Sequence, residues 1–215
     1  MQELLFDLDG TLTDPRLGFV RSLHHALNAG ESAPSDDVLA MFIGPPLERT
    51  LRQLLGARAE LELARAIERY DERYAAEGAF ENSVSPGTEA ALGELVSKGW
   101  TIRVVTSKRE DFARRVVEHF ALTKYVAEVV GFPASGATID KAQLIRSLLE
   151  RTALAPEQCW MIGDRSYDVV AARENGVSAI GVLWGYGSRS ELENAGAALL
   201  AESWERLLEL IGSPR

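Results

Sequence analysis

Four acidic residues and a lysine, far apart in the chain, are of types that could do chemistry together. Asp7 and Asp9 lie two apart in Asp7-Leu8-Asp9-Gly10-Thr11, directly after a short apolar run. Asp164 and Asp168 lie four apart in Gly163-Asp164-Arg165-Ser166-Tyr167-Asp168, directly after another. A hydroxyl pair, Thr106-Ser107, followed by Lys108, ends a third such run, and Lys141 opens a stretch of helical period. Taken one at a time these residues have ordinary readings, since Asp-Gly pairs mark turns and an Asp at a helix start caps it. Asp7 is harder to dismiss, because an acid inside a strand pattern is costly to bury without a partner. A cation shared by Asp7 and Asp164 removes that cost. Oxygen-only ligation suits magnesium rather than zinc, and the sequence offers no Cys/His cluster to compete.

Such a convergence needs a scaffold that brings several strand ends to one edge. Short β-branched runs at Leu4–Phe6, Ile102–Val105, Glu128–Val130, Trp160–Ile162 and Ala179–Val182 read as buried strands. Helical stripes lie between them: Phe112, Val116, Val117 and Phe120; then Leu144, Ile145, Leu148 and Leu149. Thr88 is expected to cap a helix carrying Ala91, Leu92, Leu95 and Val96, with Gly99 as its stop. Alternating strands and helices predict an α/β fold, a Rossmann-like parallel sheet with helices on both faces. Sheets of this kind bind ligands at the carboxyl ends of their strands, where every candidate residue falls.

One interval breaks the rhythm. The first two strands are about 95 residues apart, whereas a βαβ unit needs about 30. The surplus reads as helical. Phe19, Leu23, Ala26 and Leu27 share a face; Pro46 could begin a helix; Leu61, Ala64, Ile67 and Tyr74 mark a longer amphipathic segment. The expected organisation is a core of residues 1–14 and 83–215, with residues 15–82 inserted as a separate helical bundle.

Composition removes other classes. The 23 basic and 32 acidic residues leave a net charge of −9, which argues against nucleic acid or an anionic membrane as partner. The apolar fraction of 46% is that of a globular enzyme, and the single cysteine, Cys159, excludes an internal disulfide and fits a reducing compartment. The start carries acids and no basic region, so it is not expected to act as a signal peptide, and no apolar run reaches the length of a spanning helix. A soluble, cytoplasmic protein is expected, as a monomer or homodimer.

The run Asp7-Leu8-Asp9-Gly10-Thr11-Leu12-Thr13-Asp14 resembles the first motif of the haloacid dehalogenase superfamily of phosphohydrolases. Thr106-Ser107 is similar to its second motif, Lys141 to its third, and Gly163–Asp168 to its fourth, in the same order and at similar spacing. Phe42-Ile43-Gly44-Pro45-Pro46-Leu47 and Gly181-Val182-Leu183-Trp184-Gly185-Tyr186-Gly187 resemble its phosphoglycolate phosphatase-like branch, which includes members called 5′-nucleotidase. The segment Gly131–Gly136 departs from that branch. The resemblance implies that the insertion is a helical cap and that the activity is hydrolysis of a small phosphorylated metabolite. It implies Asp7 as nucleophile and Asp9 as acid and base. Magnesium would be held by Asp7, the Asp9 carbonyl and Asp164, with Asp168 in support. Thr106, Gly10, Ser107 and Lys108 would hold the phosphoryl oxygens, and Lys141 would offset charge.

The same core serves sugar-phosphate mutases, which return an isomer instead of free phosphate. A dehalogenase has no use for the acid at Asp9. Signalling receiver domains also combine an acceptor Asp, magnesium, a hydroxyl and a Lys, but they lack a large insertion. Among other residues, His24 and His25 read as surface or packing side chains of the first inserted helix, and Cys159 as an inert hydrophobe. Trp184 and Tyr186 could shape a site mouth. Arg16, Arg49 and Lys108 are the cations placed to meet a second anionic group.

Overall fold

The computed structural model describes residues 2–28, 34–134 and 139–212. The chain forms two compact units: Met1–Asp14 with Val84–Arg215, and Pro15–Ser83.

The first unit is built on a six-stranded parallel sheet. In chain order it contains β1 (Glu3–Phe6), β2 (Thr13–Asp14), then, after the inserted unit and β3 (Ser83–Val84), α5 (Thr88–Ser97), β4 (Thr101–Arg109), α6 (Glu110–His119), β5 (Val126–Phe132), α7 (Lys141–Thr152), β6 (Cys159–Gly163), α8 (Ser166–Glu174), β7 (Ser178–Val182), α9 (Arg189–Ala195), β8 (Leu199–Ala201) and α10 (Trp204–Ile211). The sheet order is β5-β4-β1-β6-β7-β8. β1 therefore lies between β4 and β6, with Leu5 level with Arg103 on one side and Met161 on the other. The chain builds outward from β1 first toward β5 and then toward β8. That reversal opens a crevice at the carboxyl ends of β1, β4 and β6.

Alternation along the strands sends side chains to two helical layers. Leu5, Val105, Met161 and Ala179 join Leu144, Ile145, Leu148, Val169 and Leu192 in one buried cluster under α7, α8 and α9. On the opposite face Phe6 meets Trp204 of α10, ring centroids 6.1 Å apart. Leu4, Leu5 and Phe6 are wholly buried, each contributing about 1.5–3 kcal/mol relative to exposure, so β1 is anchored without help from the acids that follow it.

The five expected strands are present; β8 completes the sheet at an edge where no strand was foreseen. Thr88 is not the cap of α5. Gly87, at φ 89°, holds that position, and the Thr88 hydroxyl donates to the Leu12 carbonyl at 3.3 Å, so it serves the turn after β1 rather than its own helix. Val96 faces outward.

The second unit contains α1 (Arg16–Leu27), α2 (Asp36–Ala40), α3 (Leu47–Leu55) and α4 (Ala59–Arg73), the last running into a π-helical turn at Tyr74–Gly78. Phe19, Leu23, Ala26 and Leu27 are buried along α1, as their spacing predicts. The expected stripe on α4 is shifted. Leu61 and Ala64 are exposed, and Ala59, Leu63, Ala66 and Tyr70 are buried instead. At 3.6 residues per turn Leu61 and Tyr74 stand on nearly opposite sides of a helix, and the buried face follows the tyrosines. Tyr70 packs edge-on to Phe19 at 6.1 Å and stacks on Tyr74 at 5.3 Å.

Candidate active site

The backbone after β1 creates the first half of the site. Asp7 keeps the sheet pattern by donating its amide to Ile162 O at 2.8 Å, and the chain then turns so tightly that the amides of Leu12 and Thr13 both return to Leu8 O. Gly10 sits in this turn at φ 88°, a region that favours glycine, and a Cβ there would come within 2.4 Å of Asp164 Oδ2. Its absence lets the turn lie against the loop after β6. A similar vacancy at Gly163 admits Asp168, whose carboxyl carbon would stand 2.3 Å from an added Cβ.

These two loops bring Asp7, Asp164 and Asp168 together. All three are buried, and each offers a carboxylate oxygen within 4.8 Å of the others. Lys141, the first residue of α7, completes the group: its ammonium donates to Asp7 Oδ1 at 2.7 Å and to Asp168 Oδ1. α7 itself is fixed by a capping box in which Asp140 accepts from the Gln143 amide at 2.8 Å, while the Gln143 side chain accepts from Asp140 N at 3.0 Å. Asp164 also accepts from the Tyr186 amide at 2.7 Å and from the Thr11 hydroxyl at 3.4 Å.

Three carboxylates and one ammonium leave an excess of buried negative charge. Burial, reinforced by Asp168 and Asp7, pushes Asp164 well above the usual carboxylate range. Burial also raises Asp168 to about 6, despite the opposing pull of Lys141. Lys141 would be lowered by burial, but Asp168 and Asp7 together hold it above its ordinary value. A group of hard oxygen donors with surplus negative charge fits a divalent cation.

Asp9 points elsewhere. Its carboxylate accepts from Lys108 Nζ at 2.6 Å and is not among the three clustered carboxylates. Burial raises it above the usual range, with Lys108 opposing. Thr106, Ser107 and Lys108 do not follow a finished strand; they lie inside β4, where pairing with β5 is interrupted between Val105 and Arg109. The break frees their backbone from the ladder, and the Lys108 amide donates to Thr106 Oγ1 at 3.2 Å.

The remaining candidates have other surroundings. Arg16 pairs with Asp37, and Arg49 is exposed on α3. His24 pairs with Asp36 at 2.8 Å and His25 lies 4.0 Å from Glu72, both partly exposed, as surface side chains should be. Cys159 is buried, its thiol raised to about 11 chiefly by burial. Trp184 donates to Thr11 O at 3.0 Å and packs on Trp204, and Tyr186 bonds Asp14 through its hydroxyl, so their loop braces the turn after β1. Of the divergent segment Gly131–Gly136, Gly131 and Phe132 end β5, whereas Ser135 and Gly136 lie outside the described residues. Thr11, Gly163 and the Tyr186 amide were not singled out from sequence for this role; the glycine-rich run 181–187 was the available signal.

Known proteins are similar to this chain in sequence and fold. The chain is 44% identical to a 5′-nucleotidase of Pseudomonas aeruginosa, over 88% of this chain and 86% of that one. It is 35% identical to tyrosine-protein kinase PtkA of Mycobacterium tuberculosis, over 98% and 72%, and 32% identical to a phosphoglycolate phosphatase of Agrobacterium fabrum, over 85% and 80%. Among solved structures, one titled a predicted phosphatase from Clostridium acetobutylicum superposes with a TM-score of 0.92 at 37% identity, covering 98% of this chain and 97% of that one. The haloacid dehalogenase-like hydrolase profile matches residues 4–182, from β1 through β7 and thus every strand whose end contributes to the acidic cluster, and the chain belongs to that family.

Proposed function

We propose that the protein is a magnesium-dependent phosphatase of small phosphomonoesters that works through an aspartyl-phosphate on Asp7. The observation that carries this reading is the buried group of Asp7, Asp164 and Asp168, in which Lys141 bonds both Asp7 and Asp168. Asp7, Asp164 and Asp168, with the Asp9 carbonyl, would hold the cation. When bound, magnesium supplies positive charge to the phosphoryl oxygens.

The protein groups divide the remaining work. The Asp7 carboxylate attacks phosphorus, the ester P–O bond breaks, and the departing alkoxide takes a proton from Asp9. Burial of Asp9 favours the protonated form that this step needs. Ionised Asp9 then accepts a proton from the water that attacks the aspartyl-phosphate, releasing phosphate and restoring Asp7. Lys141 keeps Asp7 oriented. Thr106, with the Ser107 amide, holds the phosphoryl oxygens, whereas the Gly10 amide is bonded to Thr13 O at 2.7 Å and shapes the turn instead; Lys108 exchanges Asp9 for the incoming anion.

The substrate class is a nucleoside monophosphate or a phosphoglycolate-like acid, supported by the names of the relatives above. Residues 15–82 form the specificity unit. The protein acts in the cytoplasm as a monomer or homodimer; among the described residues no helix is long and apolar enough to cross a membrane. Its net charge of −9 makes the local cations Lys108 and Lys141 necessary for drawing in an anion.

Phosphate release from phosphoglycolate, nucleoside monophosphates and sugar phosphates, with and without magnesium, tests this. Magnesium-dependent release, with one class preferred by at least about tenfold in kcat/KM, is expected. Undiminished release in excess chelator overturns it. The 35% identity to a protein named a tyrosine kinase favours one second reading, in which the phosphoryl group on Asp7 passes to a phenol instead of water. A tyrosine peptide with labelled ATP, included in the same assay, decides: label retained on the peptide supports transfer. A rearranged sugar phosphate would indicate a mutase.

A further inference from the structure

Helix α8 begins without the usual help. Its first turn carries Asp168, yet its N-cap is Arg165, whose side chain has no acceptor to offer the exposed amides. Asp168 itself serves one of them, accepting from Arg165 N at 3.0 Å. That bond ties the orientation of the Asp168 carboxylate to the position of the Arg165–Ser166 backbone.

The Arg165–Ser166 backbone is held from outside the helix. Glu191, in the first turn of α9, accepts three bonds on one carboxylate oxygen, Oε1: from Ser166 N at 2.8 Å, Ser166 Oγ at 2.9 Å and Arg165 Nε at 3.0 Å. Glu191 is placed in turn by Ser188, whose hydroxyl accepts from the Glu191 amide at 3.1 Å. Burial opposes its charge, but the Ser166 amide and Arg165 more than compensate, and its carboxyl lies below the ordinary range. The same connection between β7 and α9 supplies the Tyr186 amide to Asp164.

We propose that Glu191 is a positioning residue for the acidic cluster: by fixing the Arg165–Ser166 backbone it presents Asp168 to Lys141 and Asp7 in the geometry that binds the cation. Glu191 touches neither substrate nor cation. It acts through Asp168, as outer carboxylates do when they orient metal ligands. The inference rests on the phosphatase reading for its cation, but not for its geometry.

The test compares Glu191→Ala, Glu191→Gln and Ser166→Ala with the parent. Magnesium affinity is measured on the protein without substrate by calorimetry, and kcat and KM are then measured across a magnesium series. Glu191→Ala should bind magnesium about 10- to 100-fold more weakly. At saturating magnesium its kcat and substrate KM should return to within about twofold of the parent. Glu191→Gln keeps an acceptor oxygen and should recover most of the affinity; Ser166→Ala, which removes only one of the three bonds, should lose less than Glu191→Ala. A kcat loss that magnesium does not relieve marks a purely structural role and overturns the proposal, as does unchanged affinity in Glu191→Ala. If Glu191→Ala fails to fold, Glu191→Gln and Ser166→Ala decide by the same readouts, with parent-like affinity in both overturning it. A parent that binds magnesium but releases no phosphate removes the phosphatase reading and leaves this one standing; a parent that binds none overturns both.

Discussion

Lys141 and Asp7 are 134 residues apart in sequence, and the ammonium of one lies 2.7 Å from the carboxylate of the other in a setting closed to solvent. The same ammonium bonds Asp168. Removing one partner from such a group strands charge in the interior. Lys141→Met should therefore destabilise the metal-free protein by about 3–5 kcal/mol. Magnesium should restore part of the loss by supplying positive charge to the same carboxylates. Thermal unfolding with and without magnesium measures both effects, and a variant as stable as the parent in chelator would contradict the placement of charge described here.

The acids set a pH dependence whose sign is fixed. Asp168 is raised to about 6 in the folded protein, chiefly by burial, so the folded state holds its proton more tightly than the unfolded chain does. The stability it contributes is fully present below about pH 4 and is lost as pH rises through about 6. Asp164, raised by burial and by Asp168 and Asp7, acts in the same direction. A cation displaces those protons, so it binds more tightly as pH rises. The increase in Tm on adding magnesium should be small near pH 5 and clearly larger near pH 7.5. An equal increment at the two values would rule this out.

Asp7 and Asp9 can be separated kinetically. Asp7→Asn removes the nucleophile, and no phosphoenzyme should form with any substrate. Asp9→Asn keeps the nucleophile and loses the proton donor and later base. An aryl phosphate with an acidic leaving group departs with little protonation, so its first step should persist while hydrolysis of the aspartyl-phosphate lags. The Asp9 variant should show a burst approaching one equivalent, with phosphate trapped on Asp7 and visible by mass after acid quenching. Label on the Asp7→Asn protein, or steady turnover of the Asp9 variant without phosphoenzyme, would reverse these roles.

Much of the molecule is legible in the sequence alone. Apolar runs of three or four residues between helical stripes read as buried strands, and their ends pointed to Asp7, Thr106 and Asp164, with Lys141 at the start of a helix, because parallel sheets expose ligand-binding groups at that edge. The interval before Ile102 marked the inserted helices for the same reason of spacing. The phase of α4 was misjudged at Leu61 because a short amphipathic stretch allows more than one stripe, and only packing of Tyr70 against Phe19 selects one. The role of Thr88 depended on where the Leu12 carbonyl ended up, a contact across 76 residues that no local pattern encodes. The three-way bond at Glu191 and the close approach of Gly10 to Asp164 are of the same kind. Local sequence determined which segments become strands and helices and which reactive groups stand at their ends, since burial and periodicity act over a few residues. Which oxygen faces which nitrogen was decided by tertiary packing, because those distances arise only when segments remote in sequence share one interior.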